Sequence, residues 1–255
     1  MKISIITATY NSESTLSDTI ESVLSQTISD YEYIIVDGKS SDNTIKIVEG
    51  YLQRFAGKLK YVSEKDKGLY DAINKGIRMA TGDIIGILNS DDYFHRNNIL
   101  ETILNEFELN DIDAIFGDSR VVKEKGDKKN YRYTWSRFFR PWMFRIGLMP
   151  PHPSFYAKKE LFDKYGYYKD DFKIAADFDL MSKFFCLYHI KTKYIPCPIL
   201  TMRHGGLSTS INNKTLLNKE QIQSLKLNGF QSSNLLLFLK YPFRLIEFIW
   251  FKKRI

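Results

Sequence analysis

Ile84-Ile85-Gly86-Ile87-Leu88-Asn89-Ser90-Asp91-Asp92 passes from an apolar run to four polar residues, the last two of them carboxylic acids. A short apolar run bounded in this way reads as a strand buried on both faces of a sheet. Outward from it, residues 3–9, 33–37, 59–64 and 112–116 are β-rich runs of the same kind. Between them Leu16, Ile20, Val23 and Leu24 recur at helical spacing. Ile45, Val48, Leu52 and Phe55 do the same, as do Leu69, Ala72, Ile73, Gly76, Ile77 and Ala80. Strand–helix alternation predicts right-handed crossovers, hence an α/β fold with a mostly parallel, Rossmann-like sheet flanked by helices. In open sheets of this type the ligand crevice lies beyond the carboxyl ends of the strands. Those ends carry Thr9-Tyr10-Asn11, Asp37-Gly38, Glu64 with Asp66, and Asn89-Ser90-Asp91-Asp92, so one rim is expected to collect the acids.

Beyond Asp118 the pattern changes. Residues 120–123 and 130–135, separated by Lys125-Gly126-Asp127, predict a hairpin. An aromatic and basic stretch over 135–149 ends in Pro150-Pro151-His152-Pro153. A strand at 154–157 and helices near 158–165 and 177–188 follow. The polar run from Gly205 to Asn213 predicts a mobile loop.

The 255 residues are 44% hydrophobic and 26% charged, which excludes a disordered chain and suits one α/β-sized domain. Cys186 and Cys197 have neither a disulfide framework nor metal-ligand spacing around them, and predict reduced thiols in a cytoplasmic protein. The opening Met1-Lys2-Ile3-Ser4-Ile5-Ile6-Thr7 is too short an apolar run for a signal peptide. The catalytic part is therefore expected on the side of the membrane where it is made.

Adjacent acids at a strand end repel each other unless something positive binds them. A divalent cation is the usual resolution, and hard oxygen ligands suit Mg²⁺ or Mn²⁺ completed by substrate phosphates. The plainer reading is that Ser90-Asp91-Asp92 caps a helix starting near Asn97 or sits in a turn. The other polar strand ends on the same rim favour the cation.

Taken in order, Ser4-Ile5-Ile6-Thr7-Ala8-Thr9-Tyr10-Asn11, Val36-Asp37-Gly38-Lys39-Ser40-Ser41-Asp42-Asn43-Thr44, Asp66-Lys67-Gly68-Leu69-Tyr70-Asp71-Ala72-Ile73-Asn74-Lys75-Gly76 and Leu88-Asn89-Ser90-Asp91-Asp92 resemble glycosyltransferase family 2 enzymes of the GT-A fold. Pro151-His152-Pro153-Ser154-Phe155 and Ala176-Asp177-Phe178-Asp179-Leu180 continue the likeness to bacterial surface-polysaccharide glycosyltransferases, over roughly residues 1–205. The resemblance implies inverting transfer of a sugar from a nucleoside-diphosphate sugar, a UDP-sugar, to a glycan or lipid-linked glycan hydroxyl. It implies that Thr9, Tyr10 and Asn11 line the nucleotide pocket, that Asp37 hydrogen-bonds the base, and that Asp66, Lys67 and Asn89 belong to the donor site. Asp91 would contact the ribose or donor sugar, Asp92 would ligate Mn²⁺ or Mg²⁺, and Asp177 would be the catalytic base. Two positions depart from the family pattern. Ala176 stands where a Glu is commoner, and Ile73 stands where many relatives have Arg, so phosphate neutralisation falls to Lys67 or Lys75. His204, before Gly205-Gly206, is a candidate to complete the metal site. His152 is a candidate for the donor sugar or acceptor. For both, the alternative is a structural histidine. The alternative for Asp177 is a first-turn carboxylate favoured by the helix dipole.

The net charge of +7 is unevenly placed: residues 119–145 hold nine basic and two acidic residues, and residues 240–255 hold five basic and one acidic in an otherwise apolar stretch. An unbroken apolar span of about 20 residues is missing, so a basic interfacial segment on an anionic membrane is expected rather than a transmembrane helix. A terminal helix packed on the domain or at an oligomer interface is the alternative. Residues 1–118 are expected to bind the nucleotide sugar, 119–213 to hold the acceptor and base, and 214–255 to form a helical, membrane-associating tail. The localisation implied is cytoplasmic, peripheral at the inner face of the cell membrane. Competing readings are a catalytically inactive scaffold of the same fold, a sugar-nucleotide pyrophosphorylase and a basic nucleic-acid-binding protein. The pyrophosphorylase would need a glycine-rich loop that Thr7-Ala8-Thr9-Tyr10-Asn11 is not, and nucleic acid would be repelled by Asp37, Asp91, Asp92 and Asp177.

Overall fold

The computed structural model describes residues 1–123, 132–205 and 213–244. Its elements are β1 (Ile3–Thr9), α1 (Leu16–Leu24), β2 (Tyr31–Asp37), α2 (Thr44–Tyr51), β3 (Leu59–Ser63), α3 (Leu69–Met79), β4 (Ile84–Ile87), β5 (Tyr93–Phe94) and α4 (Ile99–Leu109). There follow β6 (Ala114–Val122), β7 (Arg132–Thr134), β8 (Tyr156–Lys158), α5 (Lys159–Tyr165), α6 (Ala176–Ser182), β9 (Thr192–Arg203), α7 (Lys214–Leu227) and α8 (Asn234–Phe238).

The described strands form one sheet in the order β3-β2-β1-β4-β8-β6-β9-β5, with β7 paired to β6. From β3 to β4 all neighbours run parallel. Past β4 the sheet is mixed: β8 lies antiparallel to both β4 and β6, and β6 runs parallel to β9. Alternate side chains of the parallel strands feed two cores, as a sheet covered on both faces requires. Ile3 and Ile5 of β1 and Tyr33 and Ile35 of β2 pack with Leu16, Ile20, Val48 and Ile103 of α1, α2 and α4. Ile6, Ala8, Ile34 and Val36 pack on the other face with Ile73 and Ile77 of α3 and with Phe178 and Met181 of α6. Gly76 lets α3 lie close on β1, because a Cβ there would stand 2.4 Å from Cγ2 of Ile6.

The runs at 112–116 and 120–123 prove to be one strand, β6. Its register against β9 shifts at Gly117, Asp118 and Ser119, where Pro198 opposes Asp118. β9 itself was not expected from sequence, because Pro196 and Pro198 argue against a strand; the register passes from Ile195 to Pro198, so Pro196 falls in the bulge, and Pro198 sits at the second shift. The hairpin is present, with Ser119 opposite Thr134 and Val121 opposite Arg132. Its turn at Lys125-Gly126-Asp127, residues 206–212 of the expected loop, and the tail beyond Arg244 lie outside the described residues. Among the described residues no helix is long and apolar enough to cross a membrane.

Candidate active site

The parallel register brings the strand ends together: Thr9 pairs with Asp37, and Asp37 with Ser63. Asp37 is fully buried, and its carboxylate accepts from the Ser40 amide at 3.0 Å, from the Ser63 hydroxyl at 2.6 Å and from the Ser40 hydroxyl. Those bonds hold the turn after β2. Ser40 Oγ in turn accepts from the Asn11 amide at 2.8 Å, while Asn11 Oδ1 accepts from the Ser41 amide at 2.9 Å. Asn11 is therefore part of the frame that joins the ends of β1 and β2.

Tyr10 projects outward from this frame, 63% exposed. Gly38 lies between it and Asp66: a Cβ on Gly38 would stand 2.6 Å from Asp66 Oδ2 and 3.3 Å from the Tyr10 ring. An aromatic face and a carboxylate are thus brought to one opening, which only a residue without a side chain keeps clear. Thr9 Oγ1 is buried there without a hydrogen-bond partner, an unusual state for a buried hydroxyl. Of the two candidate lysines, Lys75 is engaged by Glu64 at 2.9 Å and Asp71 at 3.3 Å. Lys67 is 79% exposed and only 3.8 Å from Asp170.

The turn after β4 is splinted by hydroxyls of α1 and its approach. Thr15 Oγ1 donates to the Ser90 carbonyl at 2.9 Å, Thr19 Oγ1 to the Asp92 carbonyl at 2.7 Å, and the Ser12 and Ser90 hydroxyls lie 3.0 Å apart. Asp92 is 2% exposed, and accepts from Asn89 Nδ2 at 2.9 Å and the Arg203 amide at 3.3 Å. Burial and then the charge of Asp91 push its carboxyl well above the ordinary carboxylate range. Asp91 is half-buried and raised by burial, against the opposing charge of Arg203. Arg203 donates to the Asp91 carbonyl at 2.6 Å and pairs with Asp18 of α1. The acid pair does not cap α4, whose N-cap is Asn98 with β5 in between; Ser90 and Asp91 lie in a turn, as the other form of the plainer reading has it.

Two adjacent carboxylates, one buried and both lifted by desolvation, favour uptake of a proton or a cation, and their hard oxygen donors suit Mn²⁺ or Mg²⁺. His204 follows the end of β9, one residue beyond the amide that bonds Asp92; its own amide donates to the Val122 carbonyl at 2.8 Å and the residue is exposed. Among the described residues no three His, Cys, Asp or Glu side chains cluster as metal ligands. Arg203 escaped the sequence reading, since a lone Arg before a His carries no local signal.

Asp177 lies in the first turn of α6, half-buried, and accepts from the Phe178 amide at 2.7 Å. Burial, with a smaller contribution from Glu220, pushes its carboxyl up to about 6. Tyr70 of α3 donates its hydroxyl proton to the Ile174 carbonyl at 2.6 Å, and the same oxygen lies 3.4 Å from Asp177 Oδ1. The Tyr70 ring stacks on Tyr168 with centroids 5.9 Å apart, and the Tyr168 hydroxyl bonds His152 Nε2 at 2.7 Å. Asn74 fixes Tyr168 through both its carbonyl, at 2.7 Å, and its amide, at 3.0 Å. His152 is 8% exposed, and desolvation lowers its pKa to about 4, so it is neutral at physiological pH. The structure thus places His152 in the wall behind Asp177, linked to it through two tyrosines.

Behind the same helix Glu220 of α7, 5% exposed, accepts from the amides of Lys173, Ile174 and Ala175, each at 2.9 Å. Asn228 secures the docking by donating to Ser182 Oγ at 3.0 Å and Asp179 Oδ1 at 3.3 Å. The start of the expected tail is therefore built into the support of Asp177. Nothing in Lys214-Thr215-Leu216-Leu217-Asn218-Lys219-Glu220 distinguishes Glu220 from a solvent-facing acid, so sequence reasoning missed it.

Comparison with known proteins bears on this arrangement. The sequence profile of Glycosyl transferase family 2 matches residues 4–168. The PGL/p-HBAD biosynthesis glycosyltransferase of Mycobacterium bovis is 27% identical over 220 residues, spanning 85% of this chain and 82% of that protein. S. aureus TarS 1–349 in complex with UDP-GlcNAc superposes with a TM-score of 0.68 at 20% identity, over 88% of this chain and 66% of that one. The mannosyltransferase PcManGT from Pyrobaculum calidifontis, in complex with GDP-Man and Mn2+, gives 0.61 at 16% identity over 96% of this chain and 80% of that one. At these identities the solved structures speak for the fold alone. This chain spans just under two thirds of the TarS fragment.

Proposed function

The chain belongs to glycosyl transferase family 2, and from that premise we propose that it moves a sugar from a UDP-sugar to a hydroxyl of a glycan or lipid-linked glycan, with inversion, using Asp177 as base. The observation that carries the proposal is the state of Asp177. Its carboxyl is pushed up to about 6, so it is ionised at neutral pH yet basic enough to take a proton. The acceptor hydroxyl attacks the anomeric carbon from the face opposite the diphosphate. Its proton passes to Asp177 as the bond from the anomeric carbon to the diphosphate oxygen breaks, and no covalent enzyme intermediate forms.

In this reading the exposed Tyr10 ring and the unpartnered Thr9 hydroxyl receive the nucleotide, with Asn11 and Asp37 shaping that pocket and Asp66 beside it. Asp91 and Asn89 face the ribose and sugar, and Lys67 neutralises phosphate. His152 positions Tyr168 and, through it, Tyr70 beside the base. Asp92, with Asp91 and His204, would hold Mn²⁺ or Mg²⁺, which when bound neutralises charge on the donor diphosphate. The complexes of similar folds with UDP-GlcNAc and with GDP-Man and Mn2+ support the donor class and the cation. Residues 1–118 would bind the donor, 119–213 the acceptor, and 214–255 a cytoplasmic membrane face, with α7 serving the base as well. A panel of nucleoside-diphosphate sugars tests the proposal, with nucleotide release and product anomeric configuration read with Mn²⁺ or Mg²⁺ present. Turnover of a UDP-sugar with inversion is expected; retention of configuration, or silence with every donor, would overturn it.

A further inference from the structure

The residues around the 3-10 turn Pro141–Ile146 and those of α8 and beyond build a feature that the sugar-transfer chemistry leaves unused. A cavity of about 400 Å³ opens between Trp135, Phe139, Met143 and Met149 on one side and Phe243 and Arg244 on the other. That volume is within the range of small-molecule sites, roughly 300–1,000 Å³. The elements bounding it are joined: the Ser232 hydroxyl donates to the Arg145 carbonyl at 2.8 Å, and a Cβ on Gly147 would stand 3.0 Å from Leu237 Cδ2 and 3.4 Å from Lys240 Cδ. On the same elements large apolar side chains face solvent, Phe138 at 63%, Trp142 at 55% and Phe238 at 65% exposure. Phe138 lines the cavity, and exposed aromatics on the elements that bound an apolar cavity are not explained by the core of this domain.

The charge of the region is one-signed. Between Arg132 and Pro150 there are Arg132, Arg137, Arg140 and Arg145 and no acid; between Gln231 and Arg244 there are Lys240 and Arg244 and again no acid. Asp118, beneath the cavity at Ser136, is taken up by the Ser136 amide and the hydroxyls of Tyr133 and Tyr194. The cavity wall also leads to the reaction site. Phe139 meets Phe144 edge-on at 5.3 Å, Phe144 meets Phe178 at 5.3 Å, and Phe178 follows Asp177 in the chain.

We propose that this cavity takes the hydrocarbon chain of a phosphate-bearing lipid, with Arg244 at its headgroup and Phe138, Trp142 and Phe238 seated in the membrane interface. An apolar slot with Arg244 in its wall, on segments whose charged residues are all basic and which carry exposed aromatics, matches an anionic amphiphile in both of its parts. The proposal deepens the glycosyltransferase reading by naming the lipid portion of the acceptor side, and rests on that reading only for what the lipid is used for.

The test uses the full chain with vesicles of phosphatidylcholine, with and without phosphatidylglycerol, and with dodecyl phosphate or inorganic phosphate in solution. Binding to the phosphatidylglycerol vesicles alone is expected, weakened about tenfold or more by Arg244→Glu and by the surface double variant Phe138→Ser/Trp142→Ser. Dodecyl phosphate should change tryptophan fluorescence, whereas inorganic phosphate should not. Hydrolysis of a UDP-sugar by the double variant should be unchanged, which separates failure of this proposal from failure of the catalytic one. Absence of vesicle binding, or equal binding by wild type and variants, would overturn the proposal. So would a wild-type dimer that the double variant dissolves, which would assign the face to a second copy, or capture of single-stranded RNA in place of vesicles.

Discussion

Glu220 stands behind Asp177: its carboxylate holds the three amides that lead into α6 on 2.9 Å bonds, and its charge adds to burial in lifting the Asp177 carboxyl. Glu220→Gln removes that charge and leaves one acceptor oxygen where there were two. The acidic limb of the activity profile should move to lower pH, because Asp177 then ionises more easily. Stability should fall by about 1–3 kcal/mol as buried amides lose partners. A pH profile of kcat/KM beside a denaturant titration checks both; an unmoved profile with lost stability would leave Glu220 a structural residue only.

Asp177 itself is costly to keep ionised. Its pKa rises from the ordinary 3.8 to about 6 on folding, so its contribution to stability is complete below about pH 4 and is lost as pH rises through 6. Asp177→Asn keeps the shape and removes the charge. At pH 8 the variant is expected to be more stable than wild type by about 3 kcal/mol, with the difference vanishing near pH 4. Thermal unfolding at the two pH values decides it, and a destabilised variant at pH 8 would mean that the ionised carboxylate is a net structural support.

The acid pair at the end of β4 should respond to a cation. Mn²⁺ is expected to raise the Tm of the wild type in a concentration-dependent way, since a ligand that binds only the folded state stabilises it by mass action. Asp92→Asn should be more stable than wild type in chelator, because the cost of burying the carboxylate and its repulsion with Asp91 are gone, and should lose the Mn²⁺ response. An equal response in both proteins would locate the cation elsewhere.

Tyr10 presents its ring to solvent at 63% exposure, where it contributes little to the core. Tyr10→Ala should therefore leave Tm nearly unchanged and weaken donor binding by about 1–3 kcal/mol, the worth of stacking one base on an aromatic ring. Calorimetric titration with UDP reads the change directly, and unchanged affinity would remove Tyr10 from the nucleotide pocket.

The first half of the fold was legible because β-branched runs such as Ile3-Ser4-Ile5-Ile6 and Tyr33-Ile34-Ile35-Val36 carry their own signal, and because a parallel sheet must place their polar ends on one rim. β9 was hidden by Pro196 and Pro198, which a bulge accommodates at a distance that no local rule foresees. Arg203 and Glu220 were illegible for a related reason. Each acts on residues far along the chain, Asp18 and Asp91 in one case and the 173–175 amides in the other, and a lone charge has no period. His152 was singled out by its prolines, yet its buried bond to Tyr168 depends on how α3 packs.

The central claim is that Asp177 takes the proton of the acceptor hydroxyl, and the pH dependence of kcat/KM for transfer from a UDP-sugar to a glycan acceptor tests it most directly. The wild type should gain activity through an apparent pKa near 6. Asp177→Asn should lose about 10²-fold or more and show no such limb. An Asp177→Asn enzyme that transfers sugar at the wild-type rate with the same limb would contradict the account.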